Sequence, residues 1–290
     1  MRPVRKDIAP EGIVGTMNPY IQMFRMGNAV MGAVGLLVAC FMAAGTDAFA
    51  SEYLVDMAIC AAVVVVFVAG GNTINDSIDY EIDKVSHPER PVPMGKITPK
   101  QAHITGIVLL LVSVVLSVFT FDVACITIVV VATVLMYLYE VLLKQRGFIG
   151  NLTIAVLTGM VFLLGSAIVQ DVWANLPPAL MAALVTVGRE ICKDIEDMEG
   201  DVGRHTLPMM IGKRNAAIVA VLFFIAGPVL SVWPMYTGQY GPLYYVVVIA
   251  DALFLYAAYL GMKDPHAGQQ MAKKGMIFGL IAFIAGAIRF

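Results

Sequence analysis

Two stretches of this sequence repeat one arrangement of polar side chains. Asn72, Asp76, Asp79 and Asp83 fall at i, i+4, i+7 and i+11, and Glu190, Asp194, Asp197 and Asp201 fall at the same offsets 118 positions later. At 3.6 residues per turn these offsets lie along a single helix face. Each stretch therefore predicts a ladder of oxygen-bearing side chains pointing one way. Ile74, Ile78 and Ile82 in the first stretch, and Ile191, Ile195 and Met198 in the second, fall on another face. Like charges one turn apart repel and Asp is a weak helix former, so such a ladder calls for counter-charge. Hard divalent cations take oxygen ligands, and Mg2+ is characteristically held by one or two carboxylates together with the phosphates of a substrate. Two facing ladders, each with about one Mg2+, would cradle a diphosphate. A calcium loop of the EF-hand type is excluded, because its ligands alternate along a loop rather than recurring at helical spacing. One acidic cluster at a helix end is ordinarily a solvated face. Two with identical spacing argue for a shared ligand.

The elements that must position these ladders are membrane spans. The chain has 290 residues, 59% hydrophobic and 14% charged, with a mean hydropathy of +0.82; an ordinary soluble domain is about half apolar and about a quarter charged. That excess cannot be hidden in one globular core. It also excludes disorder, which needs low hydrophobicity and high charge. A net charge of −2 and a pI near 6.1 exclude a basic nucleic-acid-binding protein. Cys40, Cys60, Cys125 and Cys192 are far apart, show no metal spacing, and read as small apolar residues in helices.

A spanning helix needs about 20 mostly apolar residues. Runs of that kind lie near 27–46, 54–75, 101–120, 123–143, 149–170, 177–192, 215–236, 241–262 and 271–289. They are separated by polar or proline-bearing breaks such as Phe121-Asp122, Lys144 to Gly147, and Asn175 to Pro178. The first 16 residues lack an apolar stretch, so no cleavable signal peptide is expected and insertion should begin with the first span. With the N-terminus inside, 18 of the 19 Lys and Arg residues fall on the cytoplasmic side, Arg289 excepted, as positive-inside asymmetry requires. The expected fold is thus all-α and polytopic: nine transmembrane helices around a central cavity, N-terminus cytoplasmic, both ladders at the cytoplasmic ends of spans 2 and 6. Residues 1–290 read as one intramembrane domain with a pseudo-repeat, spans 1–4 (about 17–146) matching spans 5–8 (about 147–262), followed by span 9 (about 271–289).

The first ladder continues into Arg90-Pro91-Val92-Pro93-Met94-Gly95, and the second into Thr206-Leu207-Pro208; Tyr139 and Lys144 follow span 4. Over nearly the whole chain this combination resembles the UbiA superfamily of intramembrane prenyltransferases. The run Arg189-Glu190-x-x-Lys193-Asp194-Ile195-Glu196-Asp197-Met198-Glu199-Gly200-Asp201 is most similar to the archaeal ether-lipid branch. That branch transfers a geranylgeranyl group from geranylgeranyl diphosphate to geranylgeranylglyceryl phosphate and releases diphosphate. The resemblance implies Mg2+ dependence, a lipid-accessible cavity, membrane lipids as surroundings and an active site opening at the cytoplasmic side of the cell membrane. This chain departs from the pattern of many relatives at Ser86-His87-Pro88 and Pro93-Met94-Gly95, in the inside loop capping the cavity.

An allylic diphosphate reacts by releasing diphosphate to leave a delocalised cation, so the leaving group must be neutralised and water excluded. The expected metal set is Asn72, Asp76, Asp79, Asp83, Asp194, Asp197 and Asp201. Arg90, Lys193 and Glu190 are expected at the substrate phosphates, and Lys144 and Tyr139 near the reacting carbon or the leaving oxygen. Arg25, with Asn28 one turn on, is expected to hold the acceptor phosphate. Met136, Phe162 and Met181 are candidates for the tail tunnel. His87 and His205 read as ordinary loop histidines, and Lys96, Lys100, Lys213 and Lys274 as positive-inside residues. Two other readings remain open from sequence: the same fold with an aromatic acceptor in quinone or tetrapyrrole synthesis, and a cation-coupled transporter. Against transport, the carboxylates lie at span ends rather than at the midplane.

Overall fold

Within the described residues each of the nine apolar runs holds a long helix. The computed structural model describes residues 18–198 and 205–288, and outside its helices holds one isolated bridge, between Arg146 and His205. The long helices are α2 (Met26–Ala44), α3 (Ser51–Ile78), α5 (Pro99–Val118), α6 (Val123–Leu138), α7 (Phe148–Ile168), α8 (Leu176–Asp197), α10 (Lys213–Thr237), α11 (Val247–Gly261) and α12 (Pro265–Ala287). Short helices lie beside them: α1 (Pro19–Phe24), α4 (Tyr80–Ser86) and α9 (Leu207–Ile211). Among the described residues seven segments are long and apolar enough to cross a membrane: Met26–Phe49, Ser51–Ile78, Pro99–Val118, Val123–Leu143, Phe148–Ile168, Lys213–Thr237 and Pro242–Gly261. The other two runs, α8 and α12, are equally long at 22 and 23 residues. They are less apolar because α8 carries Arg189, Glu190, Lys193, Asp194, Glu196 and Asp197, and α12 carries Lys273 and Lys274.

The boundaries follow local chemistry. The Thr98 hydroxyl accepts from the Gln101 backbone N–H while the Gln101 side chain returns to Thr98, a capping box in front of Pro99. Asp122 caps α6 through the Cys125 N–H at 2.7 Å, and Asp264 caps α12 through that of Ala267 at 3.1 Å. Close helix packing rests on small residues, as it must where apolar burial alone does not draw helices together. A Cβ on Gly106 would meet Ile74 at 2.4 Å and the Gly70 carbonyl at 3.0 Å, and one on Gly165 would meet Ala39 at 2.5 Å. Hence α3 crosses α5, and α2 crosses α7, at near-backbone contact.

Two large apolar clusters result. One joins α2, α3, α6 and α7 through Leu36, Cys60, Val63, Val129 and Leu164; the other joins α8, α10, α11 and α12 through Ile191, Phe224, Phe254 and Phe283. Outward positions are apolar as well: Val115, Leu222, Val229 and Tyr236 are all more than half exposed. An exterior of this kind suits hydrocarbon rather than water.

Candidate active site

The first ladder does not run along one uninterrupted helix. α3 ends at Ile78 and α4 begins at Tyr80. Backbone bonds from Asp79 N to Asn75 O (2.9 Å) and from Asp83 N to Asp79 O (2.8 Å) bridge the bend and keep the four side chains in phase. Asn72, Asp79 and Asp83 line one side of a cavity of about 740 Å3, and Glu190, Lys193 and Asp197 of α8 line the other; Asp76 and Asp194 lie behind these walls. The two ladders face each other.

Asp76 is 1% exposed and lies beneath two arginines. Arg25 donates to its Oδ1 at 2.5 Å and to Asn72 Oδ1 at 3.5 Å, while Arg90 donates to Asp83 Oδ2 at 2.6 Å and lies 3.6 Å from Asp76. A small apolar cluster sets both arginines in place: Met23 of α1, Val92 and Ile97 of the loop after α4, and Ala102 of α5 pack together. Arg25 itself separates α1 from α2 in the left-handed backbone region (φ 49°, ψ 56°). For a non-glycine residue that conformation costs on the order of 1–2 kcal/mol, and it aims the guanidinium at the ladder. Asn28, expected to act with Arg25, is exposed and does not line the cavity. The turn at Arg25 redirects the chain, so the two residues do not share the site as one helix face would have required.

Tyr139 and Lys144, five residues apart, would point to different faces of an α-helix. Here α6 gives way to a π turn over Tyr139–Leu143, with Lys144 N donating to Tyr139 O at 2.9 Å, and both side chains line the cavity. Lys144 Nζ donates to Asp79 Oδ2 at 2.5 Å and to Glu140 Oε2 at 3.4 Å. The Asn75 amide nitrogen lies 3.2 Å from the same two oxygens.

On α8, Glu190 is buried and bonded to Arg189, with Lys193 at 3.7 Å. Asp194 is half-buried and accepts from Asn151 of α7 at 2.9 Å, whereas Asp197 is exposed to the cavity. Glu196 is bonded to His266 (2.8 Å) and to Gln269 of α12. Asp201 lies outside the described residues. Asn75, Glu140, Asn151 and Arg189 join the expected set here; of these Glu140 and Arg189 left a signal, a charge inside an apolar run. Among the described residues no three acidic, His or Cys side chains converge closely enough to hold a cation alone. The donor set is nevertheless one of hard oxygens split across two walls, and it fits a cation whose remaining positions are filled by phosphate and water.

A second, apolar cavity of about 210 Å3 lies deeper. Phe162 and Met181 line it, whereas Met136 lines the polar cavity, so the three expected tunnel residues divide between two chambers. The chambers share faces. On α7, Ile154 lines the outer cavity and Thr158 and Phe162 the inner one; on α8, Ala182 and Thr186 line the inner and Glu190, Lys193 and Asp197 the outer. Each set recurs at helical spacing. Asp251, bonded to Ser231 Oγ at 2.7 Å, is a carboxylate in the otherwise apolar inner wall.

A model described as the UbiA prenyltransferase family matches residues 33–285. The chain belongs to the UbiA prenyltransferase family. It is therefore a prenyltransferase and a multi-pass membrane protein. Similar relatives include the digeranylgeranylglyceryl phosphate synthase of Methanosphaera stadtmanae, 37% identical over 94% of this chain and 100% of that protein. The protein of the same name from Thermococcus kodakarensis is 37% identical over 93% of this chain and 98% of its own length. Among solved structures, one described as digeranylgeranylglyceryl phosphate synthase in membranes is 32% identical with a TM-score of 0.81, covering 94% of this chain and 98% of that one. A UbiA homologue from Archaeoglobus fulgidus bound to GPP and Mg2+ has the same fold at 13% identity, with a TM-score of 0.61 over 92% of this chain and 99% of the other.

Proposed function

We propose that this prenyltransferase moves a geranylgeranyl group from geranylgeranyl diphosphate to geranylgeranylglyceryl phosphate, giving digeranylgeranylglyceryl phosphate and diphosphate for archaeal ether-lipid membranes. The observation that carries this reading is the end-to-end similarity to the synthases of that name; a polar cavity and an apolar chamber lined by the same faces of α7 and α8 support it. All nine long helices cross the membrane, with the N-terminus and the cavity mouth on the cytoplasmic side of the cell membrane. The chain acts as one intramembrane domain, its spans 1–4 and 5–8 forming a pseudo-repeat that sets the two ladders opposite each other.

In the reaction the allylic C1–O bond breaks and its electron pair leaves with diphosphate. A glycerol hydroxyl oxygen of the acceptor forms the new bond to C1, and its proton passes to diphosphate or to a neighbouring carboxylate. Bound Mg2+, held by Asn72, Asp76, Asp79 and Asp83 on one ladder and Asp194, Asp197 and Asp201 on the other, would neutralise the charge developing on the leaving group. The chain's own cations do the same work: Arg90, Lys144 and Lys193 donate to phosphate oxygens, with Glu190 orienting Lys193. Tyr139 offers a ring face to the allylic cation. Arg25 takes the acceptor phosphate, leaving Asp76 to Arg90 and metal. Thr158, Phe162, Met181 and Ala182 receive the donor chain, and the surrounding spans exclude water that would otherwise trap the cation.

The test is a transfer assay on purified protein with labelled geranylgeranyl diphosphate and Mg2+, offering geranylgeranylglyceryl phosphate and 4-hydroxybenzoate in separate reactions. Product with the glycerol phosphate alone, lost on chelation of the metal, is the expected result. Product with the aromatic acid alone would keep the site and overturn the acceptor.

A further inference from the structure

Lys144 and Asn75 each donate to the same two acceptor atoms. Lys144 Nζ lies 2.5 Å from Asp79 Oδ2 and 3.4 Å from Glu140 Oε2, and Asn75 Nδ2 lies 3.2 Å from both. Four residues at the ends of α3 and of the π turn thus close a ring in which two donors bridge two carboxylates. Glu140 is 6% exposed, and a carboxylate so buried persists only when paired. It reaches this place because the π turn widens the helix end just where Tyr139, Glu140 and Lys144 meet the cavity.

The two carboxylates are not equivalent. Asp79 belongs to the oxygen ladder, where a divalent cation competes for it, and a cation there repels the Lys144 ammonium. Glu140 sits one helix away, outside both ladders. We infer that Glu140 is a positioning residue for the transfer reaction: it shares the Lys144 ammonium with Asp79 and keeps it at the cavity wall when Asp79 turns to metal and diphosphate. Without the Glu140 charge, the ammonium pairs with Asp79 alone, so metal must displace it and the released side chain is no longer aimed. The inference rests on the prenyl-transfer reading above, through which Lys144 meets the leaving group.

A double-mutant cycle tests it. Glu140→Gln, Lys144→Met and the double variant are compared in kcat/KM for geranylgeranyl diphosphate. A second readout, independent of turnover, is the concentration of Mg2+ with inorganic diphosphate that half-maximally raises the melting temperature. The charge of the carboxylate is lost and a weaker neutral acceptor is left facing Lys144, so Glu140→Gln should lower kcat/KM by about tenfold and raise the stabilisation midpoint several-fold. In the Lys144→Met background it should change either quantity by less than about twofold. If Lys144→Met does not fold, Lys144→Gln replaces it. Equal losses in both backgrounds, or no loss in the wild-type background, would overturn the inference, since a packing role does not depend on Lys144. A wild-type protein without transfer activity would instead count against the parent reading, while the stabilisation cycle still judges Glu140.

Discussion

Filling the inner chamber should shorten the donor that the enzyme accepts. Gly279 of α12 lies in the chamber wall, and a Cβ there would have Ala250 as its nearest neighbour at 3.9 Å, so a side chain can enter without moving backbone. A cavity of about 150 Å3 is large enough for benzene, so the ring of Gly279→Phe occupies roughly three-quarters of the 210 Å3 available. What remains cannot hold a branched isoprene unit. The far end of a C20 chain must then fold back, and crowding of this kind costs about 1–3 kcal/mol. That corresponds to a loss of roughly 5- to 150-fold in kcat/KM for geranylgeranyl diphosphate. Geranyl diphosphate, two isoprene units shorter, should end before the ring and lose less than about threefold. The assay is transfer of each labelled donor to the same acceptor at saturating Mg2+, with the melting temperature of the variant as control. Equal losses for the two donors, or an unchanged preference for the longer one, would refute the idea that the chain runs along the shared faces of α7 and α8 into this chamber.

Other consequences concern stability and metal. Asn175 is fully buried between helices, its amide donating to Ala39 O at 2.7 Å and to Phe162 O at 3.3 Å; Asn175→Leu should lower stability by about 1–3 kcal/mol, read as a fall of roughly 2–10 °C in melting temperature. Asp197 is exposed to the cavity and outside the apolar clusters. Asp197→Asn should therefore leave the melting temperature within about 1 °C while raising the Mg2+ needed for half-maximal transfer by about tenfold or more.

The positions of the long helices were legible because apolar runs of membrane length, cut by proline and charged breaks, leave few alternatives. The ladders were legible for a related reason: their period is that of the helix carrying them, and the bend at Asp79 does not break it. What the ladder residues touch was not. Asn151 meets Asp194 across 43 positions of sequence, and Asn75 meets Glu140 across 65; nothing local encodes either pairing. Glu140 left a trace, a charge within the last turn of an apolar run beside a Tyr–Lys pair whose spacing of five fits a π turn and no α-helix face. Asn28 shows the converse: its spacing from Arg25 does not bring it to the cavity wall. Helical spacing joined it to Arg25, but Arg25 is the residue at which the helix breaks. Likewise α8 holds charge through two of its turns, which makes it part of the site and takes it below the hydropathy of an ordinary span.

The proposed chemistry requires the two ladders to hold one diphosphate between them. The most direct measurement is an experimental structure of the protein with Mg2+ and an unreactive thiolodiphosphate analogue of the geranylgeranyl donor. The diphosphate should lie between α3–α4 and α8, with metal density touching carboxylates of both ladders, Lys144 and Arg90 on phosphate oxygens, and the chain directed past Thr158 into the inner chamber. A diphosphate bound away from the facing carboxylates, or held without metal on either ladder, would contradict it.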